Sequence, residues 1–148
     1  MSTANEISKT SNTLYTDYDV SKIFVFSNRY EKGVLLNASG GVKTFNPGTL
    51  LGRVTASGKL VPVASGAADG SEIPVGILKT TVTELADSSE KSVNICIAGD
   101  VVQGKVILDG SDTLDTVIDG RPIKDRIAAD TMGIKLVKSS ELTGFDNA

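Results

Sequence analysis

The stretch Gly52-Arg53-Val54-Thr55-Ala56-Ser57-Gly58-Lys59 carries the residue types of a phosphate-cradling loop, with glycines for close backbone approach and a lysine for the anion. The spacing does not fit. Such a loop has about four residues between its first glycine and the Gly-Lys pair, and a Ser or Thr after the lysine to reach Mg²⁺. Here five residues separate Gly52 from Gly58, and Leu60 follows Lys59. The loop should also open a helix whose first amides hold the anion. Leu60-Val61-Pro62-Val63 is β-branched, contains proline and starts a helix poorly. A hairpin suits every residue: Leu50, Leu51 and Val54 on one strand, a turn at Ala56-Ser57-Gly58, then Leu60, Val61 and Val63 running back.

Other chemistry-bearing residues are as sparse. The chain has no histidine, which removes the commonest general base, triad partner and zinc ligand. Asp-Gly pairs at Asp69, Asp109 and Asp119 lack the Asp-Thr/Ser-Gly order of an aspartic protease and read as turns. Asp109, Asp112 and Asp115 in DGSDTLD are three apart; a helix-loop-helix calcium site needs oxygens at alternate positions, a central glycine and a terminal glutamate. A dUTP-hydrolysing β-barrel of similar length would need a catalytic Asp near a Tyr-Arg-Gly turn and a Gly-Arg-Ser phosphate loop; Asp17-Tyr18-Asp19 is the nearest approach and its context is wrong. Cys96 lies in an apolar run and reads as a small buried hydrophobe. The expectation is a protein that is not an enzyme, with no catalytic, metal or cofactor residues.

Composition sets the class. Hydrophobic residues make up 40% of the 148, aromatics only 5%, with 15 glycines and no Trp. A core of Val, Ile, Leu and Ala with many turns favours β structure. Net charge is −3 and no Lys/Arg cluster occurs, which argues against nucleic-acid binding. One cysteine forbids an intrachain disulfide. No apolar run is long enough for a bilayer, and the start MSTANEISKTSNT has no secretion-signal pattern, so the expectation is a soluble protein made in a cytosol, with no membrane partner.

Along the chain, residues 1–20 read as a flexible arm and 21–148 as a β-rich domain. Met1 to Thr13 is polar and aperiodic, too poor in apolar surface to offset its ordering entropy. Most aromatics follow closely: Tyr15, Tyr18, Phe24, Phe26 and Tyr30. They either cap the core or, for Tyr15 and Tyr18 above all, belong to an arm that packs on a partner. Short strands are expected at Lys22–Phe26, Val34–Leu36, Val42–Phe45, the hairpin above, Pro74–Leu78, Ser92–Ala98, Val101–Val102 and Lys105–Leu108. Turns separate them at Ala38–Gly41, Asn46-Pro47-Gly48, Gly58 and Asp69-Gly70. Lys79–Ser89 is a polar connection without an assigned state. One helix is expected, with Pro122 in its first turn, Ile123 and Ile127 on one face and Gly133 at C′, before a closing strand at Ile134–Val137. The fold class is therefore mainly β, a small barrel or sandwich with one short C-terminal helix and a flexible N-terminal arm.

TFNPGTLLGRVTASGKLVPV followed by ADGSEIPVGIL resembles the head decoration proteins of tailed phages related to the lambda decoration protein. That family has a strand leading to a Ser/Asp-Gly-Lys turn, a Leu-Val-Pro-like strand, then a DG(S/T)…(P/A)VGIL segment, matched by Asp69 to Leu78. Val93–Gly99 and Met132-Gly133-Ile134 resemble its later strand and C-terminal Gly-Ile strand, so the similarity spans roughly Lys32 to Val137. The resemblance implies a virion protein on the outer surface of the expanded capsid. It would be a homotrimer near three-fold positions, with the major capsid protein as partner, reinforcing the shell against DNA pressure. The arm would supply the capsid contact, through Thr13, Leu14, Tyr15 and Tyr18. A β-sandwich module with weak glycan binding, or another virion part such as a tail domain, stays open as an alternative.

Overall fold

The structure is a computed structural model that describes residues 23–138. Ten strands run in order: β1 (Phe24–Leu36), β2 (Lys43–Phe45), β3 (Leu50–Arg53), β4 (Leu60–Pro62), β5 (Pro74–Leu78), β6 (Val82–Leu85), β7 (Glu90–Val102), β8 (Val117–Ile118), β9 (Arg121–Pro122) and β10 (Ile134–Val137). A 3₁₀ turn (Gln103–Lys105) follows β7, and the helix α1 (Ile123–Asp130) precedes β10.

Strands β1, β4, β3, β5 and β7 pair in that order, and β7 pairs back onto β1, closing a five-stranded barrel. Closure leaves few exposed ladder groups, the main hazard of a small β fold. The long pairing of β1 with β7 is the spine, running antiparallel from Phe24↔Val101 to Leu36↔Glu90. On its other edge β7 takes β5 at Ile95 and Cys96, then β10, in parallel, from Gly99 to Val102. The seam between β1 and β4 is the weakest join, a parallel contact at Leu35↔Leu60 alone. Pro62 has no N–H to continue it.

Strands β3 and β5 and the middle of β7 are apolar on both faces because both faces are covered there. Leu35, Leu51, Leu60, Leu78, Val93, Ile95 and Ile97 come from all five barrel strands and meet in one cluster, which is the barrel interior. Phe45 and Val82, from the paired strands β2 and β6, join that cluster. Neighbouring side chains on the same strands, Leu50, Ile77 and Cys96, point the opposite way into a second cluster with Ile118, Ile123, Ile127 and Ile134. That cluster lies between the barrel wall and a C-terminal layer of β8, β9, α1 and β10. Each fully buried Leu or Ile contributes on the order of 1.5–3 kcal/mol. Consecutive pairs such as Leu50-Leu51 therefore serve two cores at once.

Local chemistry explains most boundaries. The hairpin of β3 and β4 is confirmed: Val54 N donates to Lys59 O at 2.9 Å and Gly58 N to Val54 O at 2.8 Å. Arg53 of the false phosphate motif spends a guanidinium N–H on Gly58 O at 3.0 Å, closing its own turn. In the two-residue link between β8 and β9, Asp119 (φ 50°) and Gly120 (φ 83°) both adopt the left-handed conformation of a primed hairpin turn.

Four expectations need correction. The strands foreseen at Lys22–Phe26 and Val34–Leu36 are one strand, β1, carried through a polar middle by bulges between Phe24 and Tyr30. Likewise Ser92–Ala98 and Val101–Val102 are one strand, β7. Lys105–Leu108 is no strand: after the 3₁₀ turn only Ile107 pairs, as a bridge to Thr49. Pro122 is the cap residue in β9 rather than part of the first helical turn, and Gly133 lies one residue beyond C′. A side chain ends the helix instead: Thr131 Oγ1 donates to Ile127 O at 2.5 Å and accepts from Ile134 N at 3.1 Å. Lys79–Ser89 contains β6, with Val82 buried.

Candidate interaction surfaces

The polar residues singled out for chemistry are engaged in holding turns. Asp109 pairs with Lys43 at 2.8 Å, Asp112 accepts from Ser65 N at 2.9 Å and Oγ at 2.7 Å, and Asp115 pairs with Lys124 at 2.9 Å. Three carboxylates aimed at three separate partners do not converge on a cation. The bond from Asp115 raises the Lys124 pKa. Asp69 Oδ1 accepts from Ser71 Oγ at 2.6 Å and Ser71 N at 3.1 Å, and these bonds hold its carboxyl below the usual range. Gly70 (φ +101°) follows it as the turn requires. Cys96 is fully buried; burial pushes its thiol pKa up, and the Sγ donates to Ala98 O at 3.1 Å. A thiol kept neutral and covered is a poor nucleophile.

The remaining turn residues also hold the frame. Pro47 and Gly48 begin a crossing in which Gly48 N donates to Leu78 O and Ile107 N donates to Gly48 O, both at 2.8 Å. Gly58 (φ +74°) turns the β3–β4 hairpin, and Gly133 (φ +117°) turns the chain from the helix end into β10. Thr13, Leu14, Tyr15 and Tyr18, the expected capsid contacts, lie outside the described residues, as does the whole of the expected arm, residues 1–20.

Two surface features stand out. The first is the pole where the described chain both begins and ends. Val102 N donates to Ile23 O at 2.8 Å, and Val137 pairs with Val102 from the other side. Just inside this pole the bulge in β1 turns Phe26 outward, 68% exposed. Phe24 stays buried and meets Tyr30 edge-on, 5.8 Å between ring centres, while the Lys79 ammonium sits 4.0 Å over the Tyr30 ring. The core-capping reading thus holds for Phe24 but not for Phe26. Phe24 and Phe26 are two apart and would share a face on a regular strand; no sequence signal marked the register shift that separates them.

The second feature is a groove of about 400 Å³ where β1 and β4 part beyond Leu35↔Leu60. Its apolar lining includes Leu36, Val54, Val61, Pro62 and Ala64, all half-buried. Asn37, fully buried, fixes one wall by donating to Gly41 O and Leu85 O, each at 2.8 Å, and accepting from Ser39. The Lys43–Asp109 pair spans one end, where a smaller hollow of about 80 Å³ continues toward Ile107. The groove depends on a contact between strands far apart in sequence, and sequence reading did not find it.

Among the described residues no helix is long and apolar enough to cross a membrane. Comparison with curated proteins gave no match. The model of one family, the bacteriophage lambda head decoration protein D, matches residues 26–117. The match takes in the barrel strands from Phe26 of β1 onward and stops before β9, α1 and β10. It covers well over half of the chain, in the order of turns and strands described above: the protein belongs to the family of phage lambda head decoration protein D, structural proteins of the phage capsid.

Proposed function

We propose that this protein decorates the outer surface of the expanded phage capsid, binding the major capsid protein as a homotrimer near three-fold positions and reinforcing the shell against DNA pressure. Residues 1–20 form the contact arm on this reading, with Thr13, Leu14, Tyr15 and Tyr18 as its anchors. The family membership supports capsid decoration in general. The observation that supports this mode of contact is the pole at which the described chain begins: Ile23 O accepts from Val102 N, and the exposed Phe26 follows three residues on, in β1. On this reading Phe26 faces the shell together with the arm.

The work is adhesion rather than turnover. An extended arm can add main-chain hydrogen bonds to a capsid sheet edge while Tyr and Leu side chains bury apolar area. Those gains offset the ordering cost of the segment. Many weak contacts over one shell, with several arms per trimer, add to a large collective stabilisation.

The test is deletion of residues 1–18 followed by co-sedimentation with expanded heads. The deletion protein is expected to keep its melting transition and lose head binding. Undiminished binding by the folded deletion protein removes the arm from the mechanism. Light scattering of the free protein checks the trimer.

A further inference from the structure

The groove between β1 and β4 is built for something. Polar groups of its walls are satisfied within the chain: Ser39 Oγ donates to Asn37 Oδ1 at 2.7 Å, and Ser71 Oγ donates to Asp69. Apart from the second carboxylate oxygen of Asp69, which accepts neither Ser71 bond, these groups offer little to a polar ligand. What remains open is a half-buried apolar floor, Leu36, Val54, Val61, Pro62 and Ala64. An apolar slot of about 400 Å³ accommodates one or two aliphatic side chains, near the lower end of ligand-pocket volumes.

The rim has a sign. Asp69 and Asp109 line the opening, and Asp87 sits beside it, accepting from Gly40 N at 2.9 Å. Against these stands Lys43, already paired with Asp109. Asp69 and Asp87 form no ion pair among the described residues, so the rim keeps a surplus of negative charge. Sugar is a poor match: the sole aromatic of the lining, Phe45, is buried and gives no stacking face. Strand addition is also disfavoured, since Pro62 removes a donor from the β4 edge. Recognition must then come from side chains.

From these features the geometry points to a binding site, independent of the arm and of the capsid reading, for a peptide segment of a partner protein that inserts an aliphatic side chain between β1 and β4 and sets an adjacent lysine or arginine against Asp69.

The test uses the full chain and three synthetic peptides: acetyl-Ser-Leu-Lys-Ser-Leu-Lys-amide, its Glu-for-Lys counterpart and its Gly-for-Leu counterpart. Backbone amide shifts are followed by NMR as each is titrated. The Leu-Lys peptide is expected to move the amides of Asn37, Val61 and Ala64 with a Kd of about 1 mM or tighter. The Glu and Gly counterparts are expected to bind at least about fivefold more weakly. Asp69→Asn, which keeps the turn acceptor for Ser71, should weaken the Leu-Lys peptide two- to fivefold and leave the Glu peptide unchanged or improved. Ala38→Trp, placed on the exposed rim, should block the groove without unfolding the protein. The proposal is overturned by equal binding of the Glu peptide or by shifts confined to another surface. It is equally overturned by no shift at about ten times the expected Kd, by groove shifts on raising protein concentration alone, which would mean a second copy, or by binding to an oligosaccharide panel that Ala38→Trp abolishes.

Discussion

The backbone of Asn28 fills the space that a side chain at Gly99 would need: a methyl added there would lie 2.6 Å from Asn28 Cα and 2.6 Å from Ser27 O. The bulge of β1 is thereby seated on β7. Asn28 completes the fit by donating from Nδ2 to Asp100 O at 3.0 Å. Ser27, at φ 51°, takes up the backbone strain that turns Phe26 outward.

Gly99→Ala should therefore be costly on two counts, the conformation at φ +104° and the overlap with Asn28. Together these predict a loss of about 2–4 kcal/mol, a fall in melting temperature on the order of 10 °C. Gly58→Ala is the comparison, since φ is +74° but nothing lies within 4 Å of the added carbon. It should cost only about 1 kcal/mol. Thermal melts showing equal losses would mean that the seat against Asn28 carries no energy.

The two cores predict two separable kinds of damage. Leu51→Ala opens a cavity inside the barrel, and Ile127→Ala opens one beneath α1. Each should cost about 2–5 kcal/mol. The side chains lie in different clusters, so the double variant should show additive losses within about 0.5 kcal/mol in urea unfolding. Hydrogen exchange should further show Ile127→Ala loosening amides of α1 and β10 ahead of the barrel ladder. Exchange that rises uniformly would mean one core, not two.

What could be read from the chain followed how local its physics is. Pro47-Gly48, Gly58 and Asp69-Gly70 marked turns because φ preferences belong to single residues, and the hairpin of β3 and β4 followed from its own twelve or so residues. Ile123 and Ile127 marked the helix by their spacing, bracketed by Pro122 and Gly133. Strand lengths were not legible: β1 and β7 continue through polar and glycine positions because the partner strand, not apolar periodicity, keeps them extended. The doublets Leu50-Leu51 and Ile77-Leu78 concealed the division into two cores, since a strand covered on both faces shows no alternation. The groove and the outward turn of Phe26 both arise from pairing between distant segments, Leu35 with Leu60 and Asn28 with Gly99, which no local pattern encodes.

Alkaline pH should weaken the fold through Cys96. Burial raises the folded thiol pKa above its ordinary 9.0, so above that pH the unfolded chain has released a proton that the folded chain still holds. Stability is then fully present well below pH 9.0 and falls as pH rises from there toward the folded pKa, by up to about 1.4 kcal/mol per pH unit for one proton. Tyr30, raised above 10.0 by burial and then by Cys96, adds to the decline at higher pH. Urea unfolding from pH 7 to 10 should show the midpoint dropping. Cys96→Ala should lower stability at pH 7 through lost packing yet delay the onset of the decline; an unchanged onset would rule out the thiol as its cause.

Phe26 is predicted to bind rather than to stabilise. With 68% of its surface exposed, Phe26→Ser should leave the melting temperature nearly unchanged, within about 0.5 kcal/mol in stability. If the pole beside Val102 meets the capsid, an exposed aromatic there is the natural anchor, and its loss should weaken head binding at least about fivefold. Val42 offers the control. It is equally exposed, at 67%, but follows the turn after Leu36, at the other end of the β1–β7 ladder. That end lies roughly 30 Å away at the usual strand rise. Val42→Ser should bind heads like the unaltered protein. Co-sedimentation at several protein concentrations separates the two: equal retention of both variants would remove Phe26 from the contact, and loss by Val42→Ser alone would turn the barrel the other way up on the shell.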